Sequence, residues 1–318
     1  MNRARIAAWW DDFMFAPLSP HRLGIARMLY YLGLYWAWFG RPSVLNPNYL
    51  SVVRLPPEYL FPQSVFHYLP IATGSDLDVL TLLLKIVLVL GALGFLTRIT
   101  SVLVFALVFY LMSVPNMYGR VIIIHAIPVM VTGILACSRA GDAFSIDRLI
   151  RDRWSRWPLV TGEPQPSGHY RWPVQVICIY ATLAFSFAAL NKLGHTGLAW
   201  VFSDNLSLMF RANLQNQACL PLGGGGRITE LANWVGEQRW LCKLLAGGTV
   251  LVELSSPAAL FLRGWLRAAL VAGLVASTVS FYFLVGADAW PIVCALIFFI
   301  PWERVWGLVA RTRAPARP

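Results

Sequence analysis

Three ionisable side chains stand where an apolar sequence leaves them little water: His125, Lys192 and Glu253. Charge at membrane depth is costly, so such residues are functional candidates by default. Lys192 closes an apolar run in Leu190-Asn191-Lys192-Leu193. It reads either as an interface lysine with its head in water or as a partly desolvated amine able to act as a base, since burial disfavours the charged form of lysine. His125 precedes Pro128 by three residues. It reads either as a core imidazole bonded to a carbonyl that the proline frees or as a group sharing a cavity with Lys192. Glu253 falls mid-run in Val252-Glu253-Leu254-Ser255-Ser256-Pro257 and must be paired or protonated, with Arg27 and Lys85 as candidate partners. Arg98 closes a tight turn between two runs and is expected to pair with Asp142 or Asp147 in a structural role. Arg27, Arg98, Asp147, Glu253 and Trp200 form the candidate substrate-binding or structural polar set.

Other chemistries find little support. The five cysteines include no Cys-x-x-Cys pair, so no metal centre is expected. Cys137, Cys178 and Cys294 lie in or beside apolar runs and read as small hydrophobes. Cys219 and Cys242 share one long loop and are a candidate disulfide if that loop faces an oxidising compartment. Gly223 to Gly226 could cradle phosphate, but no Lys-Ser/Thr follows and no strand precedes, so a flexible turn is expected. The net charge of +11 raises nucleic acid as a partner. No basic recognition helix or base-stacking module is visible, so none is expected.

The elements that must position these residues are apolar helices. Hydrophobic residues make up 58% of the chain and charged residues 13%, whereas a soluble domain has about 45–50% and about 25%. Runs near the ~20 residues needed to cross a bilayer are expected at Gly24–Phe39, Val79–Leu96, Ile99–Val114, Val121–Cys137, Pro173–Leu190, Leu244–Leu262, Ala268–Gly286 and Trp290–Trp302. The expected fold is an all-α integral membrane protein, one domain over 1–318, with a bundle of about eight transmembrane helices. An N-terminal interfacial helix, Ile6 to Phe15, is expected within a cytoplasmic arm over 1–22. The tail over 303–318 is basic. Arginines gather in alternate connections, above all from Arg139 to Arg171, which places both termini in the cytoplasm. The expected location is the plasma (bacterial inner) membrane, with the lipid bilayer as the first partner.

Several segments resemble one family. Leu90-Gly91-Ala92-Leu93-Gly94-Phe95-Leu96-Thr97-Arg98-Ile99-Thr100 is similar to the second-helix hairpin of the HTTM (horizontally transferred transmembrane) domain. That family includes the membrane part of vitamin K-dependent gamma-carboxylase. Ser19-Pro20-His21-Arg22-Leu23-Gly24-Ile25-Ala26-Arg27 resembles the start of its first helix, and Ala143 to Leu149 its Ser-hydrophobic-Asp signature. Tyr180 through Leu193 resembles the segment bearing the carboxylase's catalytic lysine. The resemblance implies that Lys192 is a base acting on a quinone-like substrate, with a quinone or hydroquinone as cofactor, and that His125 belongs to the active site. The chain has Asn191-Lys192 where the carboxylase has two adjacent lysines, and no counterpart of the large lumenal domain that engages a peptide is expected. Carboxylation of a large protein is therefore not expected.

Three functions compete. The first is an enzyme or binder for a lipophilic small molecule in an external-facing cavity, with Lys192 as base. The second is a non-catalytic membrane component that binds a lipid or protein partner. The third is a transporter, for which Glu253 with Ser255, Ser256 and Pro257 is the only midplane segment of the right kind.

Overall fold

The computed structural model describes residues 3–39, 60, 62, 64–72, 75–114, 117, 123–154, 165–211, 227–285 and 290–305. These residues are all-helical, with one isolated bridge between Leu18 and Ser167 and no strand among them. The chain forms two compact units. The first comprises Met1–Cys178 with Ile297–Pro318, the second Ile179–Leu296.

The first unit holds α1 (Arg3–Phe15), α2 (Pro20–Phe39), α3 (Ser75–Leu93), α4 (Thr97–Ser113), α5 (Ile123–Ala136), α6 (Ile146–Arg153) and the start of α7 (Gly168–Thr196). α1 is exposed along most of its length, burying Met14 alone. It is tied down where the Phe13 carbonyl accepts from Arg171 Nε and Gln175 Nε2. The α3–α4 hairpin turns at Gly94, whose φ of +69° suits a residue without Cβ. Phe95 N–H reaches back to the Leu90 carbonyl across that turn.

α3 and α4 are apolar outside as well as inside. α3 turns Val79, Leu82, Leu83, Ile86, Val89 and Leu93 outward, and α4 exposes Ile99, Val102, Leu103 and Phe109. Thr81, Thr97, Thr100 and Ser101 are buried. Small polar residues at helix contacts with large apolar residues outward is the arrangement favoured when the surroundings are lipid.

The second unit holds the rest of α7, α8 (Ala199–Phe202), a helical stretch over 205–211, α9 (Arg227–Glu237), α10 (Arg239–Ser255), α11 (Gly264–Val285) and α12 (Trp290–Leu296). A 3-10 turn, Ser256–Leu260, continues α10. Leu206, Phe210, Val235, Cys242 and Ala246 form its apolar cluster. Leu183, Phe187 and Leu190 of α7 and Phe283 of α11 face outward.

Helices occupy all eight expected stretches, but two are long and apolar enough to cross a membrane by length and composition: Gly168–Thr196 and Gly264–Leu284. The others fall short for identifiable reasons. α4 has 17 residues, below the ~20 needed. α3 has 19 but carries Asp76, Asp78 and Lys85. The Pro- and aromatic-rich segment between Arg41 and Asp78 lies largely outside the described residues; within it, Val65–His67 forms a 3-10 turn capped by Ser64. Gly223 to Gly226, Cys219 and the end of the basic tail also lie outside them.

Candidate functional site

Lys192 and Glu253 pair with each other. Lys192 Nζ donates to both carboxylate oxygens of Glu253 at 2.6 Å. The side chains are 16% and 9% exposed, so little water competes for the pair. Neither Arg27 nor Lys85 fills the role expected of it. Arg27 is fully buried in the first unit and donates to the Ala140 and Phe144 carbonyls. Lys85 Nζ lies 4.8 Å from the centre of the Phe39 ring.

Local chemistry places both partners. Glu253, expected mid-span, falls in the last turn of α10. Pro257 causes this, because its ring clashes with the carbonyl four residues back, that of Glu253, and it has no N–H to give. The chain tightens there into the 3-10 turn, and Ser256 N–H bonds the Glu253 carbonyl. Ser256 Oγ then donates to the Thr182 carbonyl at 2.9 Å and lies 3.2 Å from Ser186 Oγ, fastening this turn to α7. Lys192, expected to end its span, sits one turn before the end of α7, which runs on to Thr196.

Two rings flank the ammonium. The Trp200 ring centre is 5.8 Å from Lys192 Nζ and that of Phe281 is 5.3 Å away, both within the roughly 6 Å over which a ring face attracts a cation. Gly197, with φ +58°, lets the chain turn back after α7 so that α8 brings Trp200 alongside. Trp200 and Phe281 are held by packing on the Leu206–Phe210–Val235 cluster. The site is therefore a buried ion pair near the C-terminal ends of α7 and α11, with two aromatic walls. Of the candidates, Lys192, Glu253 and Trp200 are brought together. Phe281 was not foreseen, because nothing in the local sequence distinguishes it from its neighbours in α11.

A second polar centre lies in the first unit. Asp147 is 1% exposed. Its carboxylate accepts from Leu96 N–H at 2.9 Å, and from Thr97 N–H and Thr97 Oγ1 at 2.7 Å each. It thereby caps α4, the role a carboxylate plays best at a helix start. Asp147 N–H returns a bond to the Gly94 carbonyl, and Ser145 caps α6 by accepting from Arg148 N–H. Gly24 lies so close to Ala143 that a Cβ would fall 2.3 Å from its carbonyl oxygen. The expected pairing of Arg98 with Asp142 or Asp147 is not made. Asp147 is saturated by the helix start, while Asp142 accepts from the Tyr170 hydroxyl at 2.8 Å and lies 3.7 Å from Arg139.

His125 is buried on α5, in the first unit, and Lys192 belongs to the second. Cys242 was expected in a loop beside Cys219. It lies on α10 as a buried free thiol, donating to the Val235 carbonyl. The described residues contain no cluster of three or more potential metal ligands.

No family model, characterised protein or solved structure matches the chain.

Proposed function

We propose that this chain is an HTTM-like, multi-pass protein of the plasma membrane that binds or acts on a quinone-like lipophilic molecule, with Lys192 as base. In this reading about eight helices span the bilayer. Both termini are cytoplasmic, and the Lys192 site opens to the outside. The outward apolar faces of α3, α4, α7 and α11 support the membrane assignment. One observation carries the functional part: a buried lysine–carboxylate pair walled by Trp200 and Phe281.

The chemistry follows from desolvation. In an apolar site the charged pair loses much of its advantage over the neutral one, in which the proton has moved from ammonium to carboxylate. Neutral Lys192 carries a lone pair. It takes the proton of an acidic hydroxyl, such as that of a hydroquinone. The O–H bond breaks, an N–H bond forms, and the resulting oxyanion replaces Glu253 beside the ammonium while Glu253 stays protonated. Trp200 and Phe281 offer faces for a flat ring. His125, in the first unit, stays a catalytic candidate on the family resemblance alone.

The test uses the purified protein in detergent with short-chain quinols. The parent binds them, and Lys192→Arg and Glu253→Gln weaken binding at least tenfold (about 1.4 kcal/mol). Arginine keeps the charge but cannot serve as a base. Undiminished binding and function in folded Lys192→Arg reduces the pair to a structural anchor. Reporters active only in the cytoplasm, fused at Ser155, Gly225 and the C-terminus, test the orientation: signal at Gly225 reverses it.

A further inference from the structure

The facing ends of α4 and α5 leave a polar cleft lined by Thr97, Arg98, Ser101, Ser138, Arg139 and Asp142. Three of its side chains are hydroxyls with their own partners: Thr97 Oγ1 donates to Asp147, Ser101 Oγ lies 3.1 Å from the Tyr31 hydroxyl, and Ser138 Oγ donates to the Leu135 carbonyl. Arg98 differs. It is exposed and makes no ion pair with any described residue. It also heads a stripe. Val102 and Phe109 follow it at i+4 and i+11, on the same face of the helix, and both are exposed. A cation at the top of an outward apolar stripe matches an anionic group joined to a hydrocarbon chain.

We propose that this cleft binds the phosphate of an anionic phospholipid, with Arg98 and Arg139 taking the phosphate and the acyl chain lying along Val102 and Phe109. The guanidinium of Arg98 presents paired N–H groups in the geometry that phosphate oxygens accept. Arg139 is 39% exposed at the cleft wall. Asp142 is the opposing charge in the lining and accepts from the Tyr170 hydroxyl; two arginines against one carboxylate leave the cleft net positive. Basic pockets between helix ends at a membrane surface are suited to such headgroups. The proposal rests on the membrane assignment and not on the chemistry of Lys192.

The experiment is native mass spectrometry of the detergent-purified full chain with added phosphatidylglycerol, phosphatidylcholine or inorganic phosphate. The parent retains phosphatidylglycerol over phosphatidylcholine, and millimolar phosphate does not displace it. The double variant Arg98→Gln/Arg139→Gln retains at least tenfold less, while Arg263→Gln, on an exposed residue elsewhere, matches the parent. Equal retention in the double variant overturns the proposal. Displacement by phosphate makes this a free-anion site and overturns the lipid. Should the double variant not fold, a photoactivatable phosphatidylglycerol on the parent decides: cross-links within 97–109 or 135–142 support the cleft, and cross-links only elsewhere sink it. A chain that purifies as a monomer without detergent would instead remove the membrane assignment itself.

Discussion

Asp147 and Glu253 both carry buried carboxylates, the whole residues being 1% and 6% exposed, yet they are held in opposite ways. Asp147 is gripped by two backbone N–H groups and a threonine hydroxyl. The two N–H groups cannot leave without unwinding the start of α4. Glu253 is gripped by one flexible lysine stem. Its partner is a side chain, so no backbone hydrogen bond of a helix depends on the contact. Burial alone therefore does not mark a working group. A carboxylate satisfied by backbone is tied to the helix itself, and one satisfied by a side chain is tied to that side chain alone.

The largest expected effect is at the fixed centre. Asp147→Leu strands three donors at about 1–3 kcal/mol each, a loss of about 3 kcal/mol or more. Thermal unfolding in detergent should fall steeply, and little folded protein should accumulate. A melting temperature within a few degrees of the parent would break the distinction between the two carboxylates.

An intermediate effect is expected at Glu253. Glu253→Leu alone leaves the Lys192 ammonium buried and should cost about 3 kcal/mol. The double variant Lys192→Met/Glu253→Leu should regain most of that stability, because an apolar pair can replace a buried ion pair. Quinol binding should stay lost in both. If the double variant remains as unstable as the single, the pair is structural in the same sense as Asp147.

The smallest effect concerns the wall behind Trp200. Burial, with Asp204 adding to it, pushes the Cys242 thiol up. Its thiolate fraction is then below that of an ordinary thiol at any given pH. Maleimide should label exposed Cys137 readily at pH 8 and Cys242 slowly, with the Cys242 rate rising only at higher pH; peptide mass spectrometry reads both. Equal rates would mean that the apolar cluster opens and that the walls of the Lys192 site move.

Helix positions were legible because apolar runs and helical stretches coincide. α3 and α11 begin within about four residues of the expected starts, inside the usual uncertainty of boundaries. The site was legible in its members but not in its pairing. Lys192 and Glu253 were singled out because each is an isolated charge in apolar surroundings. Their union was missed because 61 residues separate them, and because Lys192 was read as a helix end while α7 runs a further turn to Thr196. The available signal was electrostatic, since two lone opposite charges in neighbouring apolar runs have each other as the cheapest partner. Arg98 was misassigned for the converse reason. Asp147 lay close in sequence logic, but its oxygens were already claimed by N–H groups that no side-chain pattern displays.

Arg27 donates to a carbonyl 113 residues further along the chain. At about 5–20 residues per second of synthesis, the arginine waits roughly 6–23 s for its acceptor. If α2 crosses the bilayer as proposed, a charged guanidinium on the nascent helix has no partner in hydrocarbon during that interval. The insertion machinery would then have to shelter α2, or leave it at the interface, until the ribosome has delivered Ala140 and Phe144. The order of translation thus becomes part of how this protein is built.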